Sequence, residues 1–336
     1  MLSDRRIRRA VRAGWPGDGY PHRVPEVPVR YRSADEDSAR WTGFQFREGD
    51  IVISTRSKSG TTWVQMISAL LVFQTPDLPA PLAELSPWLD WLITPQDEVY
   101  ARLDAQQHRR VIKTHTPLDG VPLDARATYI VVARHPLDMA VSLYHHSANI
   151  DRARMRQLTG QPGSLGEASP RPSLREWVLR WIGAVVSPRD ELDSLPGVML
   201  HLSDAWARRT RPGVVLVRYD DLSADLEGEM RRLAKLLGIA VPGEAWPALV
   251  AAATFDRMRA RADRLVPAPP GILMDNAAFF RRGTPGSGRE LLTGGELARY
   301  HAYAAQMAPP GLLSWLHRES TPAGAPSQPS VPPAAE

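Results

Sequence analysis

Four short runs of apolar and β-branched residues, at positions 51–55, 111–112, 128–133 and 214–217, recur between segments of helical spacing. Runs of this length read as buried strands, and strands alternating with helical stretches pack as a parallel sheet. The fold class expected is therefore α/β, a three-layer parallel sheet with helices on both faces. Residues 61–74 read as a helix burying Val64, Ile67, Leu70 and Leu71, and residues 226–237 as another. In open parallel sheets ligands gather beyond the carboxyl ends of the strands. Here those ends are chemically loaded: the runs lead into Ser57-Lys58-Ser59-Gly60, Lys113-Thr114-His115, Arg134-His135-Pro136 and Arg218-Tyr219.

Ser57, Lys58, Ser59, Gly60, Thr61, Thr62 and Trp63 join the first strand to the first helix. A glycine there lets successive N–H groups turn toward one anion, and a helix N-terminus favours negative ligands. Thr61 and Thr62 add hydroxyl donors, and Trp63 offers a face for a purine. The same residues also suit a polar strand-to-helix turn with a core tryptophan. The loop is P-loop-like without being a Walker A loop, because its lysine precedes Gly60 and no glycine opens it. That spacing speaks against ATP with magnesium.

Only three of the 41 basic residues are lysines: Lys58, Lys113 and Lys235. A chain that uses arginine almost everywhere, yet keeps lysine at two strand ends, suggests a need there for a compact point charge. The absence of cysteine excludes disulfides, thiolate nucleophiles and Cys-type zinc sites. His145 and His146 are adjacent, so on a helix they diverge instead of facing one metal. They read as a helix face, and no metal is expected.

The domain organisation expected is an irregular N-terminal segment at 1–47, a catalytic domain at 48–320 and a Pro-, Ala- and Ser-rich disordered tail at 321–336. Residues 151–196 read as an insertion covering the ligand edge of the sheet. The net charge of +4 is mild, with Arg5, Arg6, Arg8, Arg9 and Arg12 clustered near the start. No aromatic interleaving accompanies that cluster, so nucleic acid is not an expected partner; a transient membrane-surface contact is the minority reading. The apolar stretch at 67–73 is too short to span a bilayer, and the start lacks the apolar core of a secretory signal, so a cytoplasmic protein is expected.

Taken in order, the Ser57–Trp63 loop, Lys113-Thr114-His115, Arg134 with Ser142, and Arg281-Arg282-Gly283 resemble the PAPS-dependent sulfotransferases, PAPS being 3′-phosphoadenosine 5′-phosphosulfate. The resemblance runs from about residue 49 to 316. The phrasing at Ser86-Pro87-Trp88-Leu89-Asp90 and at Asp104-Ala105-Gln106-Gln107-His108-Arg109-Arg110 is similar to the mycobacterial glycolipid sulfotransferases in particular. The resemblance implies that Lys58, Ser59, Gly60, Thr61 and Thr62 hold the 5′-phosphosulfate and that Trp63, Tyr219 and Phe255 contact adenine. It further implies that Arg134, Ser142, Arg281, Arg282 and Gly283 hold the 3′-phosphate. Departures from the family pattern are Ser57 for proline, Arg282 for lysine, Ala253 for a threonine near adenine, and Gly286-Ser287-Gly288-Arg289 in the closing loop.

The function expected is transfer of a sulfuryl group to an acceptor hydroxyl, on a glycolipid or a small apolar alcohol, with PAPS as donor and PAP, adenosine 3′,5′-bisphosphate, as product. Sulfuryl transfer is physically close to phosphoryl transfer, a loose in-line displacement that needs positioning and charge stabilisation. Lys113 and His115 are two residues apart on an extended segment, so both can face one cleft. His115 is the expected base, with Lys113 and Lys58 stabilising charge; a strand-end histidine bonded to backbone is the plainer alternative. Trp88, Leu89, Trp91 and Leu92 suit either an acceptor groove or the core. Two rival readings remain open: a non-catalytic binder of 3′,5′-bisphosphorylated adenosine, and an ATP-dependent kinase.

Overall fold

The computed structural model of the protein describes residues 27–160, 170–266 and 271–318. Strands β1 (Ile51–Ser54), β2 (Val111–Thr114), β3 (Thr128–Ala133) and β4 (Val214–Arg218) form one parallel sheet in the order β2-β1-β3-β4. Register pairs Ile53 with Lys113 and with Ile130, and Ala133 with Arg218. All strand C-termini thus fall along one edge, and the chain crosses from one side of β1 to the other between β2 and β3, which opens a crevice there.

Alternation along each strand sorts the side chains into two cores. Ile51, Ile53, Ile130, Val132, Val215 and Val217 join one. Helices α1 (Thr61–Phe73), α5 (Leu226–Leu236) and α6 (Trp246–Ala252) cover that face, through residues such as Ile67, Leu233 and Leu249. Val52, Ile112, Val131 and Ala133 join the other. It is covered by α2 (Pro136–Ala148), α3 (Leu174–Ile182), α4 (Leu195–Ala207) and α7 (Gly294–Met307). The three-layer expectation therefore holds, and the four strand positions agree with the apolar runs to within two residues. α1 and α5 each end one residue short of their expected ends.

Residues 27–47 contain a single 3-10 turn, Ser38–Trp41, but Trp41, Phe44 and Phe46 are buried against the sheet. Irregular backbone here still contributes large apolar surface; fully burying one such side chain is worth about 1.5–3 kcal/mol. Asp90, fully buried, accepts hydrogen bonds from Trp41 Nε1 at 3.4 Å and from Thr116 Oγ1 at 2.6 Å, as well as from Thr114 Oγ1. The residues after β2 are thereby held from below. Within 151–196, α3 is part of the core through Val178 and Trp181 rather than only a cover. Residues 161–169, the N-terminal arginine cluster and the 321–336 tail lie outside the described residues.

Candidate active site

Beyond the strand ends lies a cavity of about 440 Å³. Lys58, Gly60, Thr61, Thr62, Trp63, Lys113, His115, Arg134, Ser142, Tyr219, Phe255, Arg281, Arg282 and Gly283 all line it. Among the residues assigned from the sequence to the donor or to catalysis, Ser59 alone stays outside: its N–H donates to the Arg56 carbonyl at 3.2 Å and its hydroxyl faces Met139 Sδ at 3.6 Å.

The loop between β1 and α1 has backbone geometry suited to wrapping an anion. Lys58 has φ +63° and Gly60 φ +108°, the left-handed region that disfavours side chains. A Cβ on Gly60 would also lie 2.9 Å from the Tyr219 ring, so the loop and the end of β4 pack through a missing side chain. Arg134 Nη1 donates to the Lys58 carbonyl at 3.0 Å, and the guanidinium sits 4.3 Å from the Tyr219 ring centre. Arg134 is buried, and its Nε has no protein partner. An unpartnered buried donor is costly unless a ligand satisfies it.

The two lysines stand without carboxylate ion-pair partners among the described residues. Lys58 Nζ lies 3.6 Å from the Phe279 ring centre and Lys113 Nζ 3.3 Å from the Trp88 ring centre, cations parked on aromatic faces. Burial, reinforced by Arg134, Lys113 and Arg281, pushes the Lys58 ammonium down to about 7. Burial brings Lys113 down to about 7 as well, against the pull of Glu36, Asp90 and Asp35. Two depressed lysines in one cleft are a site built to receive negative charge.

His115 Nδ1 lies 2.5 Å from the Thr55 carbonyl, which accepts the Nδ1–H and leaves Nε2 with the basic lone pair. Its ring stands edge-on to Trp88 at 4.5 Å. Burial, then Lys113 and Arg56, hold its pKa well below the ordinary 6.5, so the imidazole is neutral at physiological pH. The His115 carbonyl is fixed by a hydrogen bond from Arg56 Nη1.

Trp63, Tyr219 and Phe255 are aromatic residues of the lining. Trp63 Nε1 donates to the Ala253 carbonyl at 2.8 Å, and Trp63 meets Tyr219 edge-on at 5.1 Å. Ala253 thus serves through its backbone, and the hydroxyl it lacks is not part of that bond. Gly283 has φ +71°, and a Cβ there would come within 2.4 Å of the Phe255 ring; its carbonyl accepts from Tyr219 Oη at 3.1 Å. The unusual 286–289 stretch is anchored on buried Asp138, which accepts from the N–H groups of Gly286 and Gly288, each at 2.7 Å. At Gly288 a Cβ would fall 2.4 Å from the Leu137 backbone, so glycine is what lets the loop approach α2 so closely.

Several lining residues carry no sequence motif. Arg56, Glu36, Asp35 and Asp193 form a charged wall, and Met155, Ile272 and Leu273 an apolar one. Trp88 and Trp91 also line the cavity, their rings stacked at 4.6 Å, whereas Leu89 is in the core. His146, expected on a helix face, is one of the lining residues, with Nδ1 buried and unpartnered and burial pushing its pKa down to about 3. It lies four residues after Ser142 on α2, so the two share a face.

Comparison with known proteins gives a consistent set of likenesses. A family model described as sulfotransferase domain matches residues 48–308. The chain is 44% identical over 307 residues to a glycolipid sulfotransferase of Mycobacterium bovis, covering 86% of this chain and 94% of that protein. It is also 44% identical over 306 residues to a glycolipid sulfotransferase of Mycobacterium tuberculosis, with the same coverage. Among solved structures, a mouse sulfotransferase complexed with PAP superposes with a TM-score of 0.60 at 18% identity, covering 83% of this chain and 92% of that one. A retinol dehydratase in complex with androsterone and PAP gives 0.60 at 19% identity, covering 80% and 83%. At these identities the solved structures bear on the fold alone.

Proposed function

Since the chain belongs to the sulfotransferase family and carries out PAPS-dependent sulfuryl transfer, we propose that its acceptor is a hydroxyl of a glycolipid and that His115 is the base. The observation that carries this reading is the convergence of Lys58, Lys113, Arg134 and a neutral His115 on one cavity. The donor fits the residues present: the unpartnered Arg134 Nε and the two uncompensated lysines are groups that anionic phosphates satisfy.

In this reading Lys58, Gly60, Thr61 and Thr62 hold the phosphosulfate, Trp63, Tyr219 and Phe255 hold adenine, and Arg134, Ser142, Arg281, Arg282 and Gly283 hold the 3′-phosphate. Ser59 acts through loop packing. The acceptor oxygen attacks sulfur, the bond between sulfur and the phosphate oxygen breaks, and the hydroxyl proton passes to His115 Nε2. Lys58 and Lys113 balance the charge that gathers on the leaving phosphate. The mycobacterial relatives are named for glycolipid acceptors, and the stacked Trp88–Trp91 pair with Met155 and Leu273 supplies apolar wall for a lipid chain.

The proposed location is the cytoplasm, with transient contact at a membrane surface; no helix among the described residues is long and apolar enough to cross a membrane. Transfer of labelled sulfate from PAPS into a panel of glycolipids, simple sugars and alcohols tests the reading. A higher kcat/KM for glycolipids over soluble sugars is the expected outcome, and the reverse order refutes the acceptor assignment.

A further inference from the structure

Glu36 lines the same cavity but belongs to none of the groups that hold the donor. It is displayed by a tight turn in which Ser33 N–H donates to the Glu36 carbonyl at 2.9 Å and Glu36 N–H donates to Ser33 Oγ at 3.1 Å. Leu92 N–H donates to the Asp35 carbonyl at 2.8 Å and Asp37 N–H to the Asp90 carbonyl at 2.9 Å, which ties that turn to the segment carrying Trp88 and Trp91. The placement of Glu36 is therefore rigid.

Its side chain is only 13% exposed, and its one salt-bridge partner among the described residues is Arg56 at 3.9 Å, too far for a hydrogen bond. Arg56 directs three of its five N–H donors elsewhere. Its Nε and Nη2 donate to Asp193 Oδ1 at 3.2 and 2.8 Å, and Nη1 donates to the His115 carbonyl. No donor among the described residues therefore satisfies the Glu36 carboxyl, although it shares the Arg56 guanidinium with the base. An acceptor that opens on a cavity loses its water when a ligand fills the site, and then needs a donor from that ligand. A monohydroxylic alcohol has one hydroxyl, and it goes to His115. A sugar brings more.

We propose that Glu36 is a specificity-determining residue, accepting a hydrogen bond from a second hydroxyl of a sugar headgroup while His115 receives the hydroxyl to be sulfated. This rests on the reading of His115 as base and of the acceptor as a glycolipid. Burial pushes the Glu36 carboxyl up to about 8, so at neutral pH it is largely uncharged and accepts through its carbonyl oxygen. Glutamine retains such an oxygen; leucine does not. A purely structural Glu36 would instead affect all acceptors alike.

The experiment measures dissociation constants of octyl β-glucoside and of 1-octanol from the complex with PAP, for the parent, Glu36→Gln and Glu36→Leu, after checking that all three melt cooperatively. Leaving a buried hydroxyl unpaired weakens the glucoside roughly 10- to 100-fold in Glu36→Leu, while Glu36→Gln retains most of the affinity and 1-octanol binds all three alike. Glucoside binding unchanged in Glu36→Leu, or glucoside and octanol weakened equally, overturns the proposal. These dead-end complexes need no turnover, so a failure of His115 as base appears only in sulfation assays and leaves this comparison decisive.

Discussion

Arg134 Nη1 donates to the carbonyl oxygen of Lys58 at 3.0 Å, so the turn after β3 braces the turn after β1. The bond spends one guanidinium donor on shaping the loop and leaves Nε buried without a partner. One residue thus serves both the geometry of the loop and the charge of the cavity.

A donor that carries a 3′-phosphate should be distinguished by that arrangement. PAP is expected to raise the melting temperature far more than 5′-AMP, by an amount that follows RT ln(1 + [L]/Kd), about 2.7 kcal/mol at a hundredfold excess over Kd. Arg134→Ala should remove most of the difference between the two nucleotides. Equal shifts for PAP and 5′-AMP in the parent would count against a 3′-phosphate site at Arg134, Ser142, Arg281 and Arg282.

For the base, His115→Ala should lower kcat roughly 10²- to 10⁴-fold with little change in PAP affinity. Because burial and nearby cations hold its pKa well below the ordinary histidine value, the acid limb of the kcat profile belongs on the acid side of where a free histidine would put it. Stopped turnover assays across pH 5–9 on a glycolipid acceptor check both points. Full turnover in His115→Ala places the base elsewhere.

Proton uptake gives a third test. With both lysines at about 7, they are mostly deprotonated at pH 8, and an arriving polyanion favours their protonated forms. PAP binding at pH 8 should therefore take up protons, approaching about one per lysine, and Lys58→Met should take up fewer. Calorimetry in buffers of different ionisation enthalpy reads this directly; uptake identical in parent and variant refutes the Lys58 assignment. In the empty protein these lysines hold fewer protons than in the unfolded chain between about 7 and 10.5, so the stability they contribute rises with pH across that window.

The part of the cavity around Lys58, Lys113, His115 and Arg134 was legible in the sequence because these residues follow apolar runs directly: a strand end fixes where they must be, whatever the rest of the chain does. The wall formed by Glu36 and Arg56 was not. Arg56 is one arginine among many, and Glu36 belongs to a segment without periodicity; they meet only because the Ser33–Glu36 turn is bonded to the chain around Trp91. His146 did carry a signal in its spacing from Ser142, four residues along one helix face. Trp88 and Trp91 are three apart and Leu89 points the other way, a division that the sheet edge decides: Trp88 pairs with Lys113 while Leu89 N–H donates to the Lys113 carbonyl at 3.1 Å.

Lysine scarcity supports the last prediction, that Lys58→Arg costs most of the transfer rate while Lys235→Arg costs nothing. Lys235 is exposed near the end of α5. Lys58 is the reverse case: its ammonium rests 3.6 Å from the Phe279 ring centre, with Arg134 and Arg281 among the cations that depress it. A guanidinium is wider and planar, keeps its charge at every accessible pH, and would hold two ground-state oxygens in a fork, whereas an ammonium can follow the one oxygen that gains charge as the sulfuryl group departs. The arginine would also stay protonated in a site already crowded with cations, so the empty protein should lose melting temperature even as PAP affinity is retained. Loss of one well-placed electrostatic contact lowers kcat by about 10²- to 10³-fold, and the lower end is expected because some cationic stabilisation survives. Turnover, PAP affinity and melting temperature measured on both variants decide it: a Lys58→Arg enzyme with parental kcat would mean that any cation suffices at the loop, and that the rarity of lysine in this chain carries no chemical information.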